Sequence, residues 1–383
     1  MRFSVDAHAV GQHLTGNETY IRNLLSSFAA LDHEADFVTY ISRDVMDEIP
    51  WRFQKRRVSQ NPFRRLGVDL PRRLREDRPN LLHVQYTGPL FCSTPLIVSV
   101  HDVSFLEHPE YFTKFRSLQL RCTVQRTIQD AACVLTPSEF SKRSILDAYR
   151  LDDRKVKVLP NGVSSAFRPI AREAAQSWVH SALNLSAPFV LAVSDLQPRK
   201  NHLGLIRAFE QLVRAHPELP HHLILVGKET WYSPVIRATA AKSELRDRIH
   251  FTGFVSDQEL LQLYGACDVF VYPSFYEGFG LPILEAMACG RAVACSNTSA
   301  MPEVADSAAL LFDPCSTDDL FRAMRDLLLN PELRLRMERL GMQRATLFSW
   351  EKAASKTLEV YYEVAGRGKQ AFEPVKSISA VLP

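Results

Sequence analysis

The feature that most restricts the fold is an alternation running the length of the chain. Short apolar, β-branched runs are separated by stretches whose apolar residues recur at three-and-four spacing. In the second half PFVLAVSD (188–195), HLILVG (222–227), IHFTGF (249–254), VFVYPS (269–274), RAVACS (291–296) and AALLFD (308–313) read as buried strands, with helical periods over 201–215, 257–266 and 316–329. The first half repeats the pattern less regularly in FSVDA, FVTYIS, LLHVQY, LIVSVHD, ACVLTPS and KVKVLP. Repeats of this kind build parallel sheets covered by helices on both faces, which places the chain in the α/β class. A length of 383 residues exceeds what one core usually serves, at roughly 100–200 residues per domain. Strand signals stop after KVLPNG and resume at PFVLAV, so the boundary falls within 163–187. The expected division is a first domain over 1–170, a second over 171–347, a closing helix over 348–366 packing back on the first domain, and a tail over 367–383. Doubly wound domains take ligands beyond the carboxyl ends of their strands, and two such domains facing one another put the site in the cleft between them.

Hydrophobic residues at 46% and charged residues at 23% are ordinary globular usage, so neither a disordered nor a fibrous chain is expected. A net charge of +3 is too small to imply a nucleic-acid partner. The seven cysteines include no C-x-x-C pair, which argues against a disulfide framework or a zinc site and fits a reducing compartment. MRFSVDAHAV lacks the apolar stretch of a signal peptide, and no segment approaches the roughly 18 apolar residues of a spanning helix. A cytoplasmic protein is expected, with any membrane contact peripheral.

The chemistry concentrates in FYEGFGLPILEAMACG (275–290), which follows the strand VFVYPS. Gly278 and Gly280 permit a sharp turn and leave backbone amides unobstructed, and Pro282 suits the first turn of a helix. That helix would present orphan N–H groups and a partial positive charge to the cleft, a ready site for a phosphate. Glu277 lies on the turn and Glu285 one turn into the helix. A carboxylate accepts two hydrogen bonds from a vicinal diol, so the economical reading gives Glu277 a hexose and Glu285 a ribose, with a diphosphate between them. Arg199 and Lys200, between a buried strand and a helix, are placed to meet charge that grows on a diphosphate leaving group.

E-G-F-G-L-P-x-x-E-A-M-A-C-G resembles the E-x7-E signature of the family 4 retaining glycosyltransferases, which have the GT-B fold of two facing Rossmann-like domains. VSDLQPRKN (193–201), LTPSEFSK (135–142), LPNGV (159–163), VSVHDVSFLEHPEYF (98–112) and FSWEKAASKTLEVYYEV (348–364) agree with that family in order and spacing. The resemblance covers almost the whole chain. It implies that Arg199 and Lys200 sit against the donor phosphates and that His101 lies close to the donor hexose. It implies further donor contacts from Gly16, Val255, Gly278, Phe279, Gly280 and Leu281. LTGNETY (14–20) is similar to the family's glycine loop, with Gly16 and Tyr20 matching but Glu18 in place of the second glycine; Ser194 stands where glycine is frequent. The chain contains no Asp-x-Asp, the metal-diphosphate clamp of the other large glycosyltransferase fold, so no metal or other cofactor is expected. No G-x-G-x-x-G follows a strand, which counts against a nicotinamide dehydrogenase.

Residues 51–78 carry ten Lys/Arg against three Asp/Glu, a local charge of +7. Trp51, Phe53, Phe63 and Leu66 interleave with these cations, and PRRLREDR reads as a short basic helix. Basic and aromatic residues side by side suit an anionic lipid surface. The expected activity is transfer of a hexose, mannose or glucose, from a nucleotide-sugar donor such as GDP-mannose or a UDP-hexose to a saccharide or lipid-linked saccharide. A GT-B epimerase or phosphorylase, or a non-catalytic two-lobed sugar-binding protein, remain as alternatives.

Overall fold

The computed structural model describes residues 1–12, 15–45 and 48–366. The expected tail over 367–383 lies outside the described residues. Seven strands form the first sheet: β1 (Arg2–Asp6), β2 (Asp36–Ile41), β3 (Gln54–Arg57), β4 (Leu81–Gln85), β5 (Leu96–Ser99), β6 (Cys133–Thr136) and β7 (Val156–Val158). Their order is β3-β2-β1-β4-β5-β6-β7, and every pairing is parallel. The second sheet takes β8 (Phe189–Val193), β9 (His222–Val226), β10 (Ile249–Gly253), β11 (Val269–Tyr272), β12 (Ala292–Ser296) and β13 (Leu310–Phe312) in the order β10-β9-β8-β11-β12-β13, again parallel throughout. Each order reverses direction beside the domain's first strand, the switch point at which doubly wound sheets open a crevice.

Period-two burial explains the layers. In β2, Phe37 and Ile41 pack in the core with Phe3, Leu24 and Phe28, whereas Val38 and Tyr40 pack on the opposite face with Leu82, Val84 and Val98. In the second sheet Phe270 and Tyr272 point one way and Val269 and Val271 the other. Helices on both faces bury these rows, each large side chain contributing about 1.5–3 kcal/mol. All seven cysteines are free thiols.

β3, the sequence QKRR, was not expected as a strand. It is half-buried at the sheet edge and pairs only with β2 among the described residues, so a polar, charged strand blunts an exposed edge. The basic stretch 51–78 is therefore part of the fold, and two of the four apolar residues expected to interleave with its cations do not face outward. Phe53 is 4% exposed and stacks on Phe37 at 4.7 Å, and Leu66 is half-buried. Trp51 and Phe63 remain outside, 91% and 71% exposed. The basic helix is present as Leu70–Asp77. Several charges on and near it are paired: Arg56 with Asp77 at 3.1 Å, Arg57 with Asp44 at 2.8 Å and Arg73 with Glu76 at 2.8 Å.

The chain crosses between the domains twice, after β7 and again before the helix Trp350–Val364. The two crossings touch: Val163 bridges Ser349, its N–H donating to Phe348 O at 3.3 Å. Trp350–Val364, capped by Ser349, buries Trp350, Leu358 and Tyr361 in the core of the first domain, where Tyr361 meets Phe3 edge-on at 5.2 Å. The Tyr361 hydroxyl lies 2.5 Å from His83 Nδ1, His83 Nε2 lies 2.7 Å from Ser99 Oγ, and Ser99 Oγ lies 2.9 Å from the Tyr20 hydroxyl. This buried relay ends beside the cleft, where the Tyr20 ring stands edge-on to His101 at 4.7 Å.

Candidate active site

A cavity of about 570 Å³ opens between the domains beyond the strand ends. Gly16, His101, Arg199, Lys200, Val255, Glu277, Gly278, Phe279, Gly280, Leu281 and Glu285 all line it.

The cationic corner is built by a short turn, Pro198–Lys200, after β8. Asn201 follows with φ of 53° and caps the helix His202–Ala215 by accepting from Gly204 N at 3.2 Å, a left-handed geometry that Asn tolerates. Phe275 N donates to Arg199 O at 2.8 Å, which fixes this turn against the loop after β11. Arg199 Nη1 then reaches Glu277 Oε2 at 3.1 Å and Lys200 Nζ reaches Glu277 Oε1 at 2.5 Å. Lys200 also donates to the Tyr272 hydroxyl at 3.2 Å. Burial alone would push the Glu277 carboxyl up, but the two cations outweigh it and hold the group down at about 2. Lys200 is lowered by burial and by Arg199, against the pull of Glu277. The three side chains leave one net positive charge at the cavity wall.

Gly280 turns the chain with φ of 107° into the helix Leu281–Ala288, whose first residues face the cavity. Glu285 on that helix accepts from the Tyr264 hydroxyl at 3.0 Å. Its burial carries no cationic compensation like that of Glu277, and its carboxyl rises to about 7. Two glutamates eight positions apart thus sit in opposite electrostatic states, one fixed as an anion and one poised near neutrality.

His101 lies at the start of the loop after β5. Its Nε2 lies 3.1 Å from Gln85 Oε1, and burial, against the attraction of Asp102, lowers it to about 4. It is therefore a neutral imidazole, with Nε2–H donated to Gln85 and Nδ1 left as an acceptor. The domains meet here: Ser138 Oγ and Ser141 Oγ of the first domain donate to Gly278 O of the second at 2.8 and 3.2 Å. Nearby, Glu303 of the second domain caps the helix Glu139–Tyr149 of the first, accepting from Glu139 N at 2.9 Å and Phe140 N at 3.2 Å.

Gly16 does not lie on a glycine loop. It is the second residue of the helix Thr15–Leu31 and lines the cavity from that helix's first turn. Leu14, also part of the expected loop, lies outside the described residues. Glu18 is buried and accepts from Gly11 N at 2.8 Å, so this carboxylate braces the preceding loop and is not among the cavity-lining residues. Ser194 lines the cavity and shares a 3.2 Å hydrogen bond with His202 Nε2. Gln85, Tyr272 and Arg65 also line the cavity and were not picked out from sequence. Gln85 and Tyr272 sat inside apolar strand runs and Arg65 inside the basic stretch, so nothing local set them apart.

Two facing doubly wound domains around a dibasic turn, a glycine-turned helix and paired glutamates define a GT-B glycosyltransferase. Residues 14–167 match the model described as Glycosyltransferase Family 4, and residues 179–344 the model described as Glycosyl transferases group 1. The chain is 32% identical to the O-antigen chain mannosyltransferase B of Escherichia coli over 69% of this chain and 69% of that one. It is 29% identical to the serotype-specific mannosyltransferase WbdA of the same organism over 60% of this chain, spanning only 28% of that longer relative. In fold it is similar to HepE of Anabaena in complex with UDP-glucose, with a TM-score of 0.77 at 19% identity over 94% of this chain and 99% of that one. The chain belongs to glycosyltransferase family 4, and it is a hexosyltransferase.

Proposed function

We propose that the chain is a retaining mannosyltransferase that moves mannose from a nucleoside-diphosphate donor to a saccharide or lipid-linked saccharide in the assembly of a surface polysaccharide. The observation that carries this reading is the Arg199–Lys200–Glu277 cluster beside the Gly280 helix start, all on one cavity wall. The named functions of the O-antigen relatives support mannose and the polysaccharide product.

In this reading the diphosphate takes the helix N–H groups together with Arg199 and Lys200, which strengthen their hold as charge develops on the leaving oxygen. No metal is needed where two fixed cations already meet that charge. Glu277, with both oxygens engaged by cations, orients the cluster and accepts a hexose hydroxyl on its remaining lone pairs. It is not a nucleophile. Glu285 takes the ribose diol. His101, neutral, accepts a donor hydroxyl at Nδ1. The acceptor oxygen bonds to the anomeric carbon on the face the diphosphate leaves, and its proton passes to the departing phosphate oxygen. Thermal-shift titration of the full chain with GDP-mannose, UDP-glucose and related donors tests it: stabilisation by GDP-mannose with release of GDP only when acceptor is added is expected, and donor turnover without acceptor would refute it.

The protein also docks peripherally on an anionic membrane in this proposal, through Trp51, Phe63 and the exposed cations Arg64, Arg72, Arg75 and Arg78. Among the described residues no helix is long and apolar enough to cross a membrane. Co-sedimentation with vesicles at low salt decides the point; equal partition onto neutral and anionic vesicles would refute docking.

A further inference from the structure

The side chain that meets His101 has no other polar task. Gln85 ends β4 and is only 5% exposed. Its Oε1 takes His101 Nε2–H at 3.1 Å, while its Nε2 is buried and finds no partner among the described residues. A buried amide donor left unpaired costs free energy that an apolar side chain of similar size would not. Gln85 is therefore a poor choice for stability at this position, and the imidazole is the one side chain it bonds among the described residues.

Strand register accounts for the contact. β4 and β5 pair with His83 beside Ile97 and Gln85 beside Ser99. His83 and Gln85 share one face of β4, and each bonds diagonally to the residue two places beyond its register partner. His83 reaches Ser99 at 2.7 Å, and Gln85 reaches His101. The chain then reverses at once: Thr87 N donates to Gln85 O at 2.6 Å, and Tyr86 between them has φ of 58°. An aromatic residue in the left-handed region at the centre of a three-residue turn is strained, and such strain is kept where surrounding structure and function over-determine it. Here the turn sets the Tyr86 ring edge-on to His101 at 5.7 Å, while the Tyr20 ring stands at 4.7 Å. Tyr86 N donates to Ser99 O at 2.9 Å, which ties the turn to the strand that leads to His101.

We infer that Gln85 is a positioning residue for hexosyl transfer: with the strained turn at Tyr86 it holds His101 by Nε2–H, so that Nδ1 stays a free acceptor for a substrate hydroxyl. The charged and titratable groups around the imidazole are few. Asp102 favours its protonation, but burial overrides Asp102 and keeps the ring neutral. His83, beyond Ser99, is neutral as well. Tyr20 and Tyr86 present ring edges and faces, and Ser141 Oγ lies 2.9 Å from the His101 carbonyl oxygen. The second domain offers the backbone of Gly278, with Arg199 drawn towards Asp102. The part played by Nδ1 rests on the transferase reading above; control of the imidazole by Gln85 does not.

The test has two arms on the full chain. Gln85→Glu sets a carboxylate against Nε2–H, and an opposite charge favours the protonated imidazole. NMR titration of labelled histidine imidazoles, with the His101 signal identified by its loss in His101→Asn, should show His101 titrating about 1–3 pH units higher in Gln85→Glu than in the unsubstituted chain. At saturating donor, kcat of Gln85→Glu should fall as pH drops through that raised value, because a protonated imidazole has no acceptor at Nδ1. The unsubstituted chain should show no such limb there. Gln85→Leu exchanges one buried unpaired donor for another, so its thermal midpoint should change little, whereas kcat should drop about tenfold or more with the imidazole free to shift. Added to His101→Asn it should cost nothing further, since a positioning residue acts through the group it positions. Gln85→Met carries this arm should Gln85→Leu fail to fold. A His101 titration unmoved by Gln85→Glu, an undiminished kcat in Gln85→Leu, or additive losses in the double variant overturns the assignment. If no donor is turned over, the transferase reading fails by itself, and the NMR titration still decides whether Gln85 governs the imidazole.

Discussion

The carbonyl oxygen of His101 stands 2.1 Å from where a Cβ on residue 278 would be, so Gly278 is the point at which backbone of one domain rests against backbone of the other. Real Cβ atoms do not approach that closely, and the obstructing atom is main chain that no rotamer change can move. Gly278→Ala therefore has to separate the domains locally. Each core is untouched, so the thermal midpoint should drop by only a few degrees, about 2–4 °C per kcal/mol for domains of this size. The reacting groups sit on both sides of the contact, and a displacement near 1 Å is expected to lower kcat about a hundredfold. Steady-state kinetics set beside a thermal melt checks the dissociation of the two effects.

Lys200→Ala removes one of the two cations on Glu277. A fall of about 10²–10³ in kcat is expected, because an electrostatic donor aimed at the leaving group acts chiefly in the transition state. Undiminished turnover at saturating donor would rule out the phosphate assignment. The same pair has a stability consequence with a definite sign. Glu277 is lowered from 4.5 to about 2 in the folded chain, so its contribution is fully present above pH 4.5 and is lost as pH falls from there towards 2. Acid unfolding monitored through that window should begin at higher pH in Lys200→Ala.

Glu285 shows the opposite sign. Its carboxyl is raised from 4.5 to about 7, so the folded chain is favoured while the group is protonated, and stability declines as pH rises from 4.5 through 7. A ribose diol prefers the ionised form, which is acceptor only. Donor affinity should then strengthen with rising pH up to about 7, by as much as about tenfold per unit on the acid side, and level off above it. Glu285→Gln should flatten that profile. Titration of GDP and GDP-mannose between pH 5.5 and 8 is the measurement; a profile unchanged by Glu285→Gln would remove the ribose role.

Tyr361→Phe keeps the aromatic packing of the closing helix and removes only its hydroxyl. His83, pushed down to about 3 by burial and by His101, stays neutral and would be left with an unpartnered Nδ1 in the core. Loss of about 1–3 kcal/mol is expected. Because the relay continues through Ser99 to Tyr20 and the face of His101, kcat should fall as well, with donor affinity unchanged. Denaturant titration and separate kcat and donor Kd values check it.

Much of this architecture was legible because buried parallel strands must be apolar. VFVYPS and HLILVG announce themselves, and the helices between them keep their three-and-four stripe. β3 was not legible: QKRR sits at an edge with half its side chains in water, so no apolar pattern was required of it. The same stretch misled in two positions, since Phe53 and Leu66 turn inward although their neighbours are charged. At the site, residues on the glycine turn and the dibasic turn could be read because backbone geometry constrains those types. Glu18 could not, since its partner is a backbone N–H that no spacing rule foretells. Arg65 and Gln85 owe their placement to strand order, which is a tertiary property.

The contact between Val163 and Ser349 bears on how substrate enters. Two polypeptide crossings clamped side by side permit rotation about the line through them and resist sliding or twisting. Arg22 of the first domain and Asp257 of the second, paired at 2.7 Å, add a contact between the domains that any opening has to break. The cations and the imidazole should part and rejoin along a single reproducible arc on every turnover.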